Sequence, residues 1–140
     1  MPYLVGIALA LAVSVYASVL RLDRDRAFYP TVLMVIAAYY VLFAVMAGGV
    51  RAIVVESLIM GGFVLVASVG FRRNLWLVAA ALAAHGVLDV VHGRLVSNPG
   101  VPAWWPAWCM AYDLTAAAVL AWLLSRSTPA FEARGVPAGR

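Results

Sequence analysis

Lysine is absent from this sequence, and cysteine occurs once, at Cys109. A lone thiol excludes an intrachain disulfide, so no covalent cross-link holds the fold, and the redox compartment is left open. Charge of either sign is scarce, at 11% of residues, and every cation is an arginine. The net charge of +4 would suit a nucleic-acid partner, but the arginines sit between apolar runs instead of along one face. Membrane-protein loops are charged in that way and phosphate-tracking stripes are not, so no nucleic-acid partner is expected. Also lacking are a glycine-rich nucleotide loop, a serine-hydrolase elbow and a paired-cysteine metal motif. No basic segment precedes the first apolar run; Arg21, Arg24 and Arg26 follow it, the reverse of a cleavable secretory signal. That run is expected to be retained as a first helix.

Apolar surface is what the chain has in excess. With 66% hydrophobic residues in a chain of 140, the surplus exceeds what a soluble domain of this size buries, and it must face lipid. The apolar residues gather into five runs, 3–20, 28–47, 52–71, 75–93 and 105–124. A helix needs roughly 20 apolar residues to cross a hydrocarbon core of about 30 Å, and each run is near that length. The expected fold is therefore all-α, an integral membrane bundle of about five transmembrane helices forming one domain, 1–125. The remaining 126–140 carries Pro129, Gly135, Pro137 and Gly139 without apolar periodicity, and is expected to be a poorly ordered cytoplasmic tail.

Short links at 21–26, 48–51, 72–74 and 94–103 force consecutive helices to run antiparallel. Arginines can then be counted by side. One side holds Arg21, Arg24, Arg26, Arg72, Arg73, Arg126, Arg134 and Arg140, and the other only Arg51 and Arg94. Because positive loops stay in the cytoplasm, the amino terminus is expected outside and the carboxyl terminus inside. Phe28, Tyr29, Phe71, Trp76 and Trp122 then fall at the inner interface, and Tyr3, Trp104, Trp105 and Trp108 at the outer one, as two aromatic belts. Asn98, Pro99 and Gly100 suit a tight turn between the last two helices, with proline fixing φ and glycine free to take a positive one.

An ionisable side chain in a membrane core costs at least about 2.5 kcal/mol on insertion scales. Yet both histidines, His85 and His92, and three acids, Glu56, Asp89 and Asp113, fall inside the runs. His85, Asp89 and His92 are spaced i, i+4 and i+7, which puts them on one helical stripe. Counting ~1.5 Å per residue from the outer ends, Glu56 and Asp89 lie ~6 Å deep, and His85 and Asp113 ~12 Å deep, so three helices bring polar groups to one slab. Tyr39 and Tyr40 reach a similar depth, and Cys109 lies one turn before Asp113. Imidazole and carboxylate are ligands for a divalent metal such as zinc, manganese or iron. His85, Asp89 and His92 are the expected metal ligands, with Glu56 and Asp113 as catalytic groups or as completion of the shell. Cys109 is not counted as a primary ligand. Met46, Met60 and Met110 with Cys109 make copper(I) a weaker option. The same residues could hold or pass protons, or simply hydrogen-bond to fix helix packing.

From His85 onward the order of residues, namely His85, Gly86, Asp89, His92 and Gly93, then Asn98, Pro99, Gly100 and Pro102, then Trp105, Pro106, Cys109, Tyr112 and Asp113, resembles the signature of a group of small, functionally unassigned bacterial multipass membrane proteins. The resemblance implies a shared polar site, a bacterial inner-membrane location and no assigned reaction. A looser similarity is to ceramidase-like membrane hydrolases, whose zinc is held by histidines and whose catalysis uses an aspartate; this chain has two histidines where three ligating histidines are expected. The functional expectation is a metal-dependent or acid/base enzyme, with its site in the outer half of the bilayer, acting on a membrane lipid or another hydrophobic small molecule. The alternatives are a metal-ion or proton carrier, and an accessory subunit of a larger membrane complex or homo-oligomer that docks through Ala116 to Ala118.

Overall fold

A computed structural model describes residues 1–132, with the side chains of 1–126. Five helices follow one another, α1 (Pro2–Val19), α2 (Phe28–Ala47), α3 (Val50–Arg72), α4 (Trp76–Leu95) and α5 (Trp105–Glu132), with a short 3-10 turn at Leu22–Arg24. All five are long and apolar enough to cross a membrane. A membrane interior offers the backbone no water to bond with, so a spanning segment satisfies its own N–H and C=O groups by being helical. The expected runs match these helices to within two residues, except that α5 continues to Glu132 instead of ending at 124. Charge ends the apolar span, but helical hydrogen bonds are internal and carry on outside it. Ser125 Oγ donates to the Trp122 carbonyl at 2.8 Å, and the Arg126 guanidinium lies 4.0 Å over the Trp122 ring. Of the expected tail, 133–140 lies outside the described residues.

The helices pack in the order α1, α5, α4, α3, α2, and α2 also reaches α4. Lipid supplies no hydrophobic drive between helices, so close approach depends on small residues. On α1 the buried positions are Gly6, Ala10, Ser14 and Ala17, one stripe at helical spacing. A side chain added at Gly6 would collide with the Trp108 carbonyl of α5. Between α4 and α5, Gly86 plays the same part, facing Met110, Asp113 and Leu114. Rings join α2 to α5, with Tyr39 and Phe43 each 4.9 Å from Trp105 between centroids. Leu33, Val78, Leu82 and Leu120 fill the interior toward the end that carries Arg72 and Arg73.

Two expectations change. Tyr3, Trp104, Phe71, Trp76 and Trp122 do face outward, but Tyr29 and Trp105 are 3% and 7% exposed and belong to the core, not to an interfacial belt. Residues at helix ends serve as belt or core according to the way their helix is rotated, which position along the span does not settle. The turn after α4 forms, closed by Val101 N–H to the Asn98 carbonyl at 3.2 Å. Gly100, however, does not take a positive φ; among the described glycines only Gly48, ending α2 at φ 70°, does so. At Gly100 the requirement is space, because a Cβ there would overlap the Phe43 carbonyl. The α4–α5 loop is thereby laid against the end of α2.

Candidate metal centre

All five ionisable residues expected inside the spans are buried, none more than 2% exposed. They meet where α2, α3, α4 and α5 converge, toward the end closed by the α4–α5 loop. Each is delivered by a helix that is otherwise apolar, so each has to find its partner on a neighbouring helix.

His85 of α4 and Asp113 of α5 are linked, with Nδ1 2.7 Å from Oδ2. Asp89, one turn along α4, brings Oδ2 to 3.7 Å from the same nitrogen. Cys109, one turn before Asp113, has Sγ 3.9 Å from Asp113 Oδ2. The donor atoms of His85, Asp89, Cys109 and Asp113 all lie within 4.8 Å of one another. Phe63 of α3 packs edge-on against the His85 imidazole at 4.9 Å and shields it.

A second group lies nearer the loop. His92 Nε2 is 2.8 Å from Glu56 Oε1, joining α4 to α3, and Asn98 Nδ2 donates at 3.0 Å both to that oxygen and to the Tyr40 carbonyl. The stripe of three on α4 thus divides. His85 and Asp89 belong to the first group, and His92 to the second. His85 turns to Asp113 of α5, whereas His92 turns to Glu56 of α3. The expected ligand set of His85, Asp89 and His92 is not brought together; Asp113 and Cys109 stand beside His85 and Asp89 in its place. Glu56, expected as a catalytic group, is paired with His92.

Sequence reasoning left three residues outside the site that the structure draws in. Cys109 had a visible signal, since it precedes Asp113 by one turn. Asn98 was noted only as a turn former. Tyr40 donates from its hydroxyl to Asp89 Oδ1 at 2.5 Å and stacks its ring on His92 at 3.9 Å, while Tyr39, one position away, packs on Trp105.

The two groups differ in how far their polar atoms are satisfied. Glu56 bonds both His92 and Asn98. In the His85 group, Asp89 Oδ2 and Asp113 Oδ1 are buried without a hydrogen-bond partner. Such atoms are uncommon in folded proteins and call for a water, an ion or a proton. Two carboxylates share one imidazole here, so the group also has one more acid than it can balance as an ion pair. The group could hold a metal ion. Donors bound tetrahedrally at roughly 2.0–2.3 Å stand about 3.3–3.8 Å apart, so the widest pair of this group, within 4.8 Å, closes on an ion with a movement of about an ångström. The thioether part of the copper option does not assemble as a set, since Met46 is 73% exposed. Compared with family models, with curated proteins and with solved structures, this chain matches none.

Proposed function

We propose that this protein is a metal-dependent enzyme of the membrane interior, in which His85, Asp89, Cys109 and Asp113 hold one divalent cation and the substrate is a lipid or another hydrophobic small molecule. The observation that carries this reading is the pair of unpartnered, buried carboxylate oxygens, Asp89 Oδ2 and Asp113 Oδ1, within a cluster of four potential ligands. A set of one imidazole, two carboxylates and one thiol favours zinc or iron over manganese, which prefers oxygen donors. A bound cation supplies Lewis acidity toward a substrate oxygen or water. Glu56, the one buried acid outside the cluster among the described residues, is then the candidate base, held by His92 and Asn98. Asn98 ties the α4–α5 loop to Tyr40 and Glu56 at the loop end of the site. With the amino terminus outside, that end lies in the outer half of the bilayer, and the cell membrane of a bacterium is the location that the residues from His85 to Asp113 suggest.

A carrier through the same residues is the weaker reading. Beyond His85 the interior continues with Leu33, Val78, Leu82 and Leu120, and among the described residues it holds no further buried acid or histidine, only the hydroxyls of Ser14 and Tyr29.

The test is elemental analysis of the full chain, purified in detergent without chelators. About one equivalent of zinc or iron is expected, lost in His85→Ala and Asp113→Ala. The purified protein is then incubated with membrane-lipid extract, and products that appear with wild type but not with His85→Ala identify the reaction. Metal-free wild-type protein would sink the metal centre, and metal-loaded protein without turnover of any lipid would sink the proposed substrate class.

A further inference from the structure

Asp89 uses its two carboxylate oxygens unequally. Oδ1 accepts the Tyr40 hydroxyl at 2.5 Å, while Oδ2 has no hydrogen bond and lies 3.7 Å from His85 Nδ1. A carboxylate is planar and rigid, so fixing one oxygen fixes the direction of the other. Tyr40 is itself held from behind. Its ring lies on the His92 imidazole at 3.9 Å and 18°, His92 is bonded to Glu56, and Asn98 bonds both Glu56 and the Tyr40 carbonyl. The second polar group thus surrounds the tyrosine whose hydroxyl bonds Asp89.

We propose that Tyr40 is the positioning and specificity-determining residue of the metal centre: by bonding Asp89 Oδ1 it presents Oδ2 to the cation and disfavours two-oxygen binding. This rests on the metal reading of the His85 group. A single oxygen per carboxylate suits small ions with four ligands, such as zinc or cobalt, whereas ions that take more oxygen donors gain from two-oxygen carboxylates. Hydrogen bonds behind metal ligands typically carry about 10–100-fold in affinity. Tyr40 thus selects for a four-coordinate borderline metal against manganese or calcium.

The experiment uses the full chain in detergent, titrated with Co²⁺ and followed by visible absorption, which reports coordination geometry, with Mn²⁺ as competitor. Tyr40→Phe keeps the ring and its stack on His92 and removes the hydroxyl. Relative to wild type, it is expected to bind Co²⁺ about 10–100-fold more weakly, with a changed spectrum, a lower Co²⁺-to-Mn²⁺ affinity ratio and unchanged helix content by circular dichroism. A merely structural role would not move the spectrum or the ratio. Unchanged Co²⁺ affinity and spectrum in Tyr40→Phe overturn the positioning role and leave the metal centre standing. A Tyr40→Phe chain that loses its helices also overturns it, because the hydroxyl is then a structural tie. Wild-type protein that binds no Co²⁺ overturns the metal reading and this inference with it.

Discussion

His85 Nδ1 and Asp113 Oδ2 lie 2.7 Å apart between α4 and α5, both fully buried, next to the glycine, Gly86, that lets the two helices approach. Removing one partner of such a pair strands the other without water. Asp113→Ala is therefore expected to destabilise the bundle by about 3–5 kcal/mol, and Asp113→Asn, which keeps an acceptor, by less. Unfolding in mixed micelles measures both. A loss below about 1 kcal/mol for the alanine variant, the size of an ordinary hydrogen bond, would mean that the pair does not hold α4 to α5.

The proposed metal centre includes Cys109 and leaves out His92, the reverse of the sequence expectation, and metal binding tests that assignment. In Cys109→Ser a thiol becomes a poorly ligating hydroxyl, so zinc affinity should fall by more than the roughly 10–100-fold that a supporting hydrogen bond carries. His92→Ala removes a residue outside the four-donor group, and should still bind one equivalent at saturating zinc. Competition with a colorimetric chelator reads both variants. The reverse ranking would restore His92 as a ligand and remove the four-residue centre.

The helices were legible because lipid is an unforgiving solvent. A span must be continuously apolar and helical, so its limits show in the sequence, and each ionisable residue inside it stands out as an exception. Glu56, His85, Asp89, His92 and Asp113 were visible for that reason, and all are buried as a site requires. Which of them pair was not legible. A stripe on one helix fixes direction but not partner, and His92 meets Glu56 of α3 while His85 meets Asp113 of α5. Tyr39 and Tyr40 differ by about 100° of helical rotation, and nothing in their flanking residues tells which one turns inward. Gly100 was expected to supply a positive φ but supplies clearance against Phe43, a tertiary contact between residues far apart in sequence.

The glycines make a paired prediction about packing. Gly6 faces the Trp108 carbonyl with no room for a Cβ, whereas Gly61 and Gly62 have nothing within 4 Å of that position. Gly6→Ala should force α1 from α5 and destabilise by about 1–3 kcal/mol, the usual range for overpacking. Gly61→Ala and Gly62→Ala should not destabilise and should add up to about 1 kcal/mol, because glycine inside a helix costs that much against alanine. Thermal unfolding in detergent compares all three. Equal effects would show that α1 does not pack on α5 through Gly6.

Orientation can be tested without disturbing the site. The arginine count, eight on one side and two on the other, predicts that the Leu22–Arg24 turn faces the cytoplasm and the α4–α5 loop faces out, because positive loops resist transfer across the membrane during insertion. Cys109, the only native thiol, is fully buried, so intact cells should give little background with a membrane-impermeant maleimide. Ser97 and Leu22 are exposed and carry no charge, so replacing either by cysteine leaves the arginine balance as it is. Ser97→Cys should be labelled in intact cells, and Leu22→Cys only after the membrane is permeabilised. The opposite pattern would turn the bundle over. The polar site, which lies toward the Ser97 end, would then open to the cytoplasm, and its metal and substrate would have to be sought there.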